Sequence, residues 1–153
     1  MIAPAPDGGF ELSFELDVAR PPEDVFALLV DPDHFRVLDP ALIDHGPSGP
    51  LAAGGEGWFK HRRGGMTART TYRVTDFAAP DRLEVAISGM GYAMTEAAEL
   101  EAIPTGTRAR FLDRVWPTTL PGRLLVALSG GIMRRDLRGR AARLKELLEA
   151  ESL

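Results

Sequence analysis

Residues 57–74 read Gly-Trp-Phe-Lys-His-Arg-Arg-Gly-Gly-Met-Thr-Ala-Arg-Thr-Thr-Tyr-Arg-Val. A glycine pair between two runs of alternating character is a hairpin signal. With Gly64-Gly65 as a two-residue turn, Arg63 faces Met66, His61 faces Ala68, Phe59 faces Thr70 and Gly57 faces Tyr72. One face then carries Phe59, His61, Ala68, Thr70, Tyr72 and Val74. Because side chains alternate along a strand, a slip of one residue would turn every one of them to the other face, so the register can be tested by extending it.

It extends. A turn at Ala78 to Asp81 sets Val74 against Val85 and Tyr72 against Ile87. A turn at Met90-Gly91 sets Ile87 against Met94, Val85 against Glu96 and Leu83 against Ala98. Closing the next hairpin with Pro104 to Thr107 sets Leu100 against Phe111 and Ala98 against Asp113, with Glu96 diagonal to Asp113 at about 7–8 Å. On the opposite face Glu101 then meets Arg110. The result is an antiparallel meander with one continuous face.

Upstream, Phe10, Leu12, Phe14, Leu16 and Val18 alternate with Glu11, Ser13, Glu15 and Asp17, which predicts a strand with one wet face. Pro21-Pro22 stops it. Val25, Phe26, Leu28 and Leu29 follow as a short helix with Glu23 and Asp24 in its first turn. Asp31-Pro32 opens a second short helix, Asp31 as cap and Pro32 as first residue, which Asp39-Pro40 closes. A short strand is expected at Ala41 to Asp44, before a Gly/Pro-rich loop over Gly46 to Gly57. Downstream, Leu124 and Leu128, then Met133, Leu137, Ala141, Leu144 and Leu148, predict a long helix over Arg123 to Glu151, interrupted at Ser129-Gly130-Gly131.

The chain has 153 residues, 44% hydrophobic and 26% charged, which fits one globular domain over 1–153. It has no cysteine, so disulfides, thiolate nucleophiles and thiolate metal sites are excluded. With 22 acidic residues against 18 Lys and Arg the net charge is −4, which offers no general attraction for nucleic acid. Neither a signal peptide nor a membrane span is evident, and a cytoplasmic location is expected. Gly-x-Ser-x-Gly, phosphate-loop and dinucleotide motifs are missing, and His34, His45 and His61 lack metal-ligand spacing. No cofactor and no metal are expected.

The order of strand, two short helices, meander and long helix resembles the START-like (SRPBCC) superfamily, and within it the polyketide cyclase/dehydrase and lipid transport group. The resemblance rests on Ala19-Arg20-Pro21-Pro22-Glu23-Asp24-Val25-Phe26-Ala27-Leu28-Leu29, on Asp31-Pro32 and Leu38-Asp39-Pro40, and on Arg134-Arg135-Asp136-Leu137 through Leu144-Lys145-Glu146-Leu147-Leu148. Many relatives place a tryptophan where this chain has Leu38. The resemblance implies an α+β helix-grip fold, a curved antiparallel sheet wrapped around the C-terminal helix, enclosing a space for an apolar or aromatic ligand. Phe59, Thr70, Tyr72, Val85, Ile87, Met94, Phe111, Met133 and Leu137 are its candidate lining.

Four polar residues on the same face are candidates for catalysis. Glu96 and Asp113, facing an apolar space, would raise each other's pKa and supply a general acid or base. The ordinary alternative is a place at the wet mouth, or an arginine partner. His61 can shuttle a proton or be a satisfied structural histidine. Tyr72 can aim its hydroxyl at a ligand or simply pack. Arg123, Arg134, Arg135, Arg138, Arg140, Arg143 and Lys145 make the last helix basic, either as a solvated face paired with its own sheet or as a site for an anionic group, membrane surface or acidic partner. Two functions follow: holding a small hydrophobic molecule, as a monomer or homodimer, or cyclising a polyketide by aldol closure and dehydration.

Overall fold

The computed structural model describes residues 4–5, 8–63 and 65–150. In chain order the elements are β1 (Pro4–Ala5), β2 (Gly9–Val18), α1 (Pro22–Val30), a 3-10 turn (Pro32–His34), α2 (Phe35–Leu38), β3 (Leu42–Gly46), β4 (Glu56–Arg63), β5 (Met66–Ala78), β6 (Arg82–Ser88), β7 (Tyr92–Ile103), β8 (Gly106–Pro117) and α3 (Leu120–Ala150). The described strands form one antiparallel sheet in the order β1-β2-β8-β7-β6-β5-β4-β3. This is the helix-grip architecture.

Local chemistry explains the boundaries. Pro22 opens α1 with Glu23 and Asp24 in its first turn, and the Asp31 carboxylate accepts from the Asp33 N–H at 3.0 Å to cap the 3-10 turn. The Thr119 hydroxyl accepts from the Gly122 N–H at 3.0 Å, capping α3 three residues before the expected start. That early start needs Gly122 itself. A Cβ there would lie 1.8 Å from the Gly91 carbonyl oxygen, so only glycine lets the helix end touch the β6–β7 turn. Helical structure runs without a break through Ser129-Gly130-Gly131, so the expected interruption does not occur. Glu151, the expected helix end, lies outside the described residues.

The hairpin register of β4 and β5 is as expected, from Arg63 opposite Met66 to Gly57 opposite Tyr72; Gly64 lies outside the described residues. Between β5 and β6 two irregularities cancel. The turn leaves three residues outside the ladder between Ala78 and Arg82, and a bulge between Val74 and Asp76 restores Val74 opposite Val85. The β7–β8 pairing departs from expectation. Ile103 pairs with Gly106, so Pro104-Thr105 alone forms the turn, and every pair moves by two residues. Leu100 faces Ala109 rather than Phe111, Ala98 faces Phe111 rather than Asp113, and Glu101 faces Arg108 rather than Arg110. Glu96 is directly opposite Asp113, not diagonal to it. A shift of two preserves the face.

The main core joins α1, the sheet and the end of α3 through Val25, Phe26, Leu28, Leu38, Val74, Leu100, Leu144 and Leu148. Phe26 meets Phe77 edge-on, with ring centroids 5.3 Å apart. A smaller cluster of Phe10, Val115 and Val126 holds the first half of α3, with Met133 and Leu137 against it. Burying each large core side chain contributes about 1.5–3 kcal/mol, so these two clusters anchor both ends of the helix on the sheet.

Candidate functional site

Three rows of inward side chains run across the strands. The middle row is Val74, Val85, Glu96, Asp113 and Leu12. On one side of it lie Tyr72, Ile87, Met94, Val115 and Phe10, and on the other Leu83, Ala98, Phe111 and Phe14. Glu96 and Asp113 are therefore cross-strand neighbours with apolar residues on all sides, their Cβ atoms about 4.5–5.5 Å apart.

Asp113 is 6% exposed, and its carboxyl is pushed up to about 7, first by burial and then by the charge of Glu96, against a smaller opposing pull from Arg140. Arg140, from the middle of α3, donates to Glu96 at 2.6 Å. Desolvation pulls the Arg140 guanidinium down, but Glu96 and then Asp113 outweigh it and hold the group above its ordinary value. Arg140 reaches Asp113 through charge alone. The arrangement sets a clamped carboxylate beside a carboxyl group that keeps its proton up to near-neutral pH.

His61 is engaged elsewhere. Its Nε2 lies 2.8 Å from Asp39 Oδ2, which accepts the ring N–H, and Asp39 also raises Arg140 by charge. The Arg143 Nε donates to the Leu38 carbonyl at 2.9 Å, tying α3 to the end of α2 beside this pair. Tyr72 stacks on Phe59 at 4.7 Å, and burial raises its phenol pKa. Gly57, opposite Tyr72, makes room for that ring: a Cβ there would meet it at 2.5 Å. The Thr70 hydroxyl is buried with no hydrogen-bond partner among the described residues.

The proposed lining divides in two. Thr70, Tyr72, Val85 and Ile87 are buried. Phe59, Met94, Phe111, Met133 and Leu137 also face inward yet stay half-buried. Phe14, which the sequence reading left out, joins them, stacked on Phe111 at 4.7 Å. Asp39 and Arg140 were missed as well. Arg140 had a signal, since Met133, Leu137, Arg140 and Leu144 follow one helical stripe. An open depression of about 400 Å3 lies over β2, β7 and β8; Ser13, Glu15, Ala97, Glu99, Arg110 and Leu112 of its lining belong to the outer face, and it shares Phe14 and Phe111 with the inward set. No cluster of three or more metal-ligating side chains occurs among the described residues.

The polyketide cyclase / dehydrase and lipid transport family model matches residues 10–149. The chain belongs to this family, within the START-like (SRPBCC) superfamily. A protein from Chromobacterium violaceum is similar in structure with a TM-score of 0.69 at 14% identity, over 91% of this chain and 97% of that one. One from Rhodobacter sphaeroides gives 0.65 at 21%, covering 97% and 98%. Ara h 8.0201 gives 0.68 at 14%, covering 90% and 96%. At these identities the likeness carries the fold and nothing more. No curated protein matches the chain.

Proposed function

We propose that residues 1–153 act as one domain that holds a small hydrophobic or aromatic molecule, lipid or polyketide-like, between the inner face of the sheet and α3, in the cytoplasm. One observation carries this reading. Phe14, Phe59, Met94, Phe111, Met133 and Leu137 face the helix side of the sheet, or the sheet side of the helix, and yet remain half-buried. Large apolar side chains directed inward normally lose their solvent contact, and apolar walls with a few polar groups are the usual make-up of a ligand site. Asp113 and the orphan Thr70 hydroxyl are the polar groups here, each able to donate to a ligand oxygen.

The test is displacement of a fluorescent apolar probe by a panel of fatty acids, isoprenoids and aromatic polyketides. Met94→Trp and Met133→Trp, which fill the space, are expected to weaken probe binding about ten-fold or more while the fold is retained. Undiminished binding in both would overturn the site.

The second reading, polyketide cyclisation, is favoured by Asp113 beside Glu96. A carboxyl pushed up to about 7 gives and takes protons near neutral pH. Asp113→Asn is then expected to lower turnover of a poly-β-carbonyl substrate by about 100-fold or more with little change in its binding. Equal turnover in the variant would remove the enzymatic reading and leave the binding one.

A further inference from the structure

The first half of α3 is inverted relative to an ordinary surface helix. Toward the sheet it presents Gly122, Val126 and Gly130, all buried. Toward solvent it presents Leu120 (79% exposed), Leu124 (63%), Leu128 (74%) and Ile132 (56%), with Leu125 at 44%. Met90, 90% exposed, stands beside the same helix end, where the β6–β7 turn touches Gly122 and the Gly91 carbonyl accepts from the Thr118 N–H. A cluster of large apolar groups this exposed marks an interaction surface.

Charge says which kind. Arg123 flanks the leucines, and the outward stripe Leu124, Leu128 continues at helical spacing into Arg135 and Arg138; all three arginines are exposed. The other arginines of this stretch turn inward: Arg134 lies over the Phe10 ring at 5.5 Å, and Arg140 and Arg143 are bound as described above. The first exposed acidic residue on α3 is Glu146. In a chain of net charge −4, this surface couples exposed hydrocarbon to exposed positive charge.

We propose that the first half of α3, with Met90, lies on anionic lipid bilayers: Leu120, Leu124, Leu128 and Ile132 enter the acyl boundary, and Arg123, Arg135 and Arg138 meet the headgroups. Hydrocarbon needs no directional partners, which suits a convex helix back whose exposed side chains from Leu124 to Ile132 are all apolar. A second copy of the chain would bring its own three arginines to this surface with no exposed acid on the first half of either helix. No helix of the described residues is long and apolar enough to cross a membrane, so the contact is a surface one. The proposal does not depend on what the inner face binds.

The test is flotation of the full chain with phosphatidylcholine vesicles containing phosphatidylglycerol, against pure phosphatidylcholine. Expected is co-flotation with the anionic vesicles, weakened by salt. Leu124→Glu/Leu128→Glu should abolish it, and Arg135→Glu/Arg138→Glu should weaken it about ten-fold or more. Should the leucine pair variant fail to fold, Leu128→Trp is the second measurement: brominated lipid should quench its fluorescence beyond that of Trp58 and Trp116. The proposal is overturned by absence of flotation, by undiminished flotation of a folded leucine variant, by absence of added quenching, or by a sedimenting dimer that the leucine variant dissolves without any vesicle binding.

Discussion

The two faces of the sheet carry the same kinds of charged residue to opposite effect. On the outer face Asp17 meets Arg108 at 2.9 Å, Glu15 meets Arg110 at 2.9 Å, Glu11 meets Arg114 at 2.7 Å, and Arg110 also reaches Glu101 at 3.3 Å. Arg108 holds the Asp17 carboxyl below its ordinary value, chiefly by hydrogen bonding. On the inner face the cation acting on Asp113 among the described residues is Arg140, already committed to Glu96, and burial carries the Asp113 carboxyl the other way. Water and spare cations make the outer carboxylates a solubility coat. Their scarcity leaves the inner pair with one shared arginine and a raised carboxyl.

The contrast breaks most sharply at Arg140. Arg140→Leu leaves Glu96 and Asp113 facing each other without a counter-charge, and destabilisation of about 2–4 kcal/mol is expected in denaturant titration, reduced from the fully buried case because Arg140 is 36% exposed. Adding Glu96→Gln to Arg140→Leu should recover part of the loss.

Next comes Asp113→Asn. A folded-state pKa of about 7 against 3.8 means that the native state holds an extra proton between those values, so the stabilising contribution is complete below about pH 4 and is lost as pH rises through 7. The parent should lose on the order of a few kcal/mol across that window relative to the Asn variant, whose stability curve should be flatter there. Parallel curves would show that Asp113 is not buried as described.

Removal of the His61–Asp39 contact is a smaller change. His61→Ala should cost about 1–2 kcal/mol, most of it absent when Asp39→Asn is already present, as a double-mutant cycle would measure. Smallest is Asp17→Asn on the outer face. Its effect has the opposite sign in pH, because a lowered carboxyl stabilises above its ordinary pKa and loses that contribution only as pH falls through the folded value. At neutral pH the thermal midpoint should move by about a degree.

The meander was legible because alternation and turn residues act locally. Gly64-Gly65 and Met90-Gly91 announced their hairpins, and the β4–β5 and β6–β7 registers followed from them, whereas Val74 meets Val85 only because the bulge between Val74 and Asp76 offsets the longer turn after Ala78. Pro104 to Thr107 misled by two residues because Gly106, at φ +144°, rejoins the strand where most residues would still be turning. The family was legible in the order of elements. The partners of the polar residues were not. Asp39 is 22 residues from His61, and Arg140 is 44 from Glu96. Which arginine on a basic helix turns inward depends on the helix rotation that the Gly122, Val126 and Gly130 stripe allows, and Arg140 looked like one charge among seven. The exposed leucines escaped for the same reason: spacing alone does not say which side of an apolar helix meets the sheet.

The grip between Arg140 and Glu96 also works as a detent along the helix axis. A slide of α3 by four residues in one direction would set Asp136 against Glu96, acid against acid, and four in the other would set Leu144 there, leaving the carboxylate without a donor. Of these three settings only the observed one matches charge to charge, so a helix whose first half touches the sheet mainly through glycine and valine is still held in its travel.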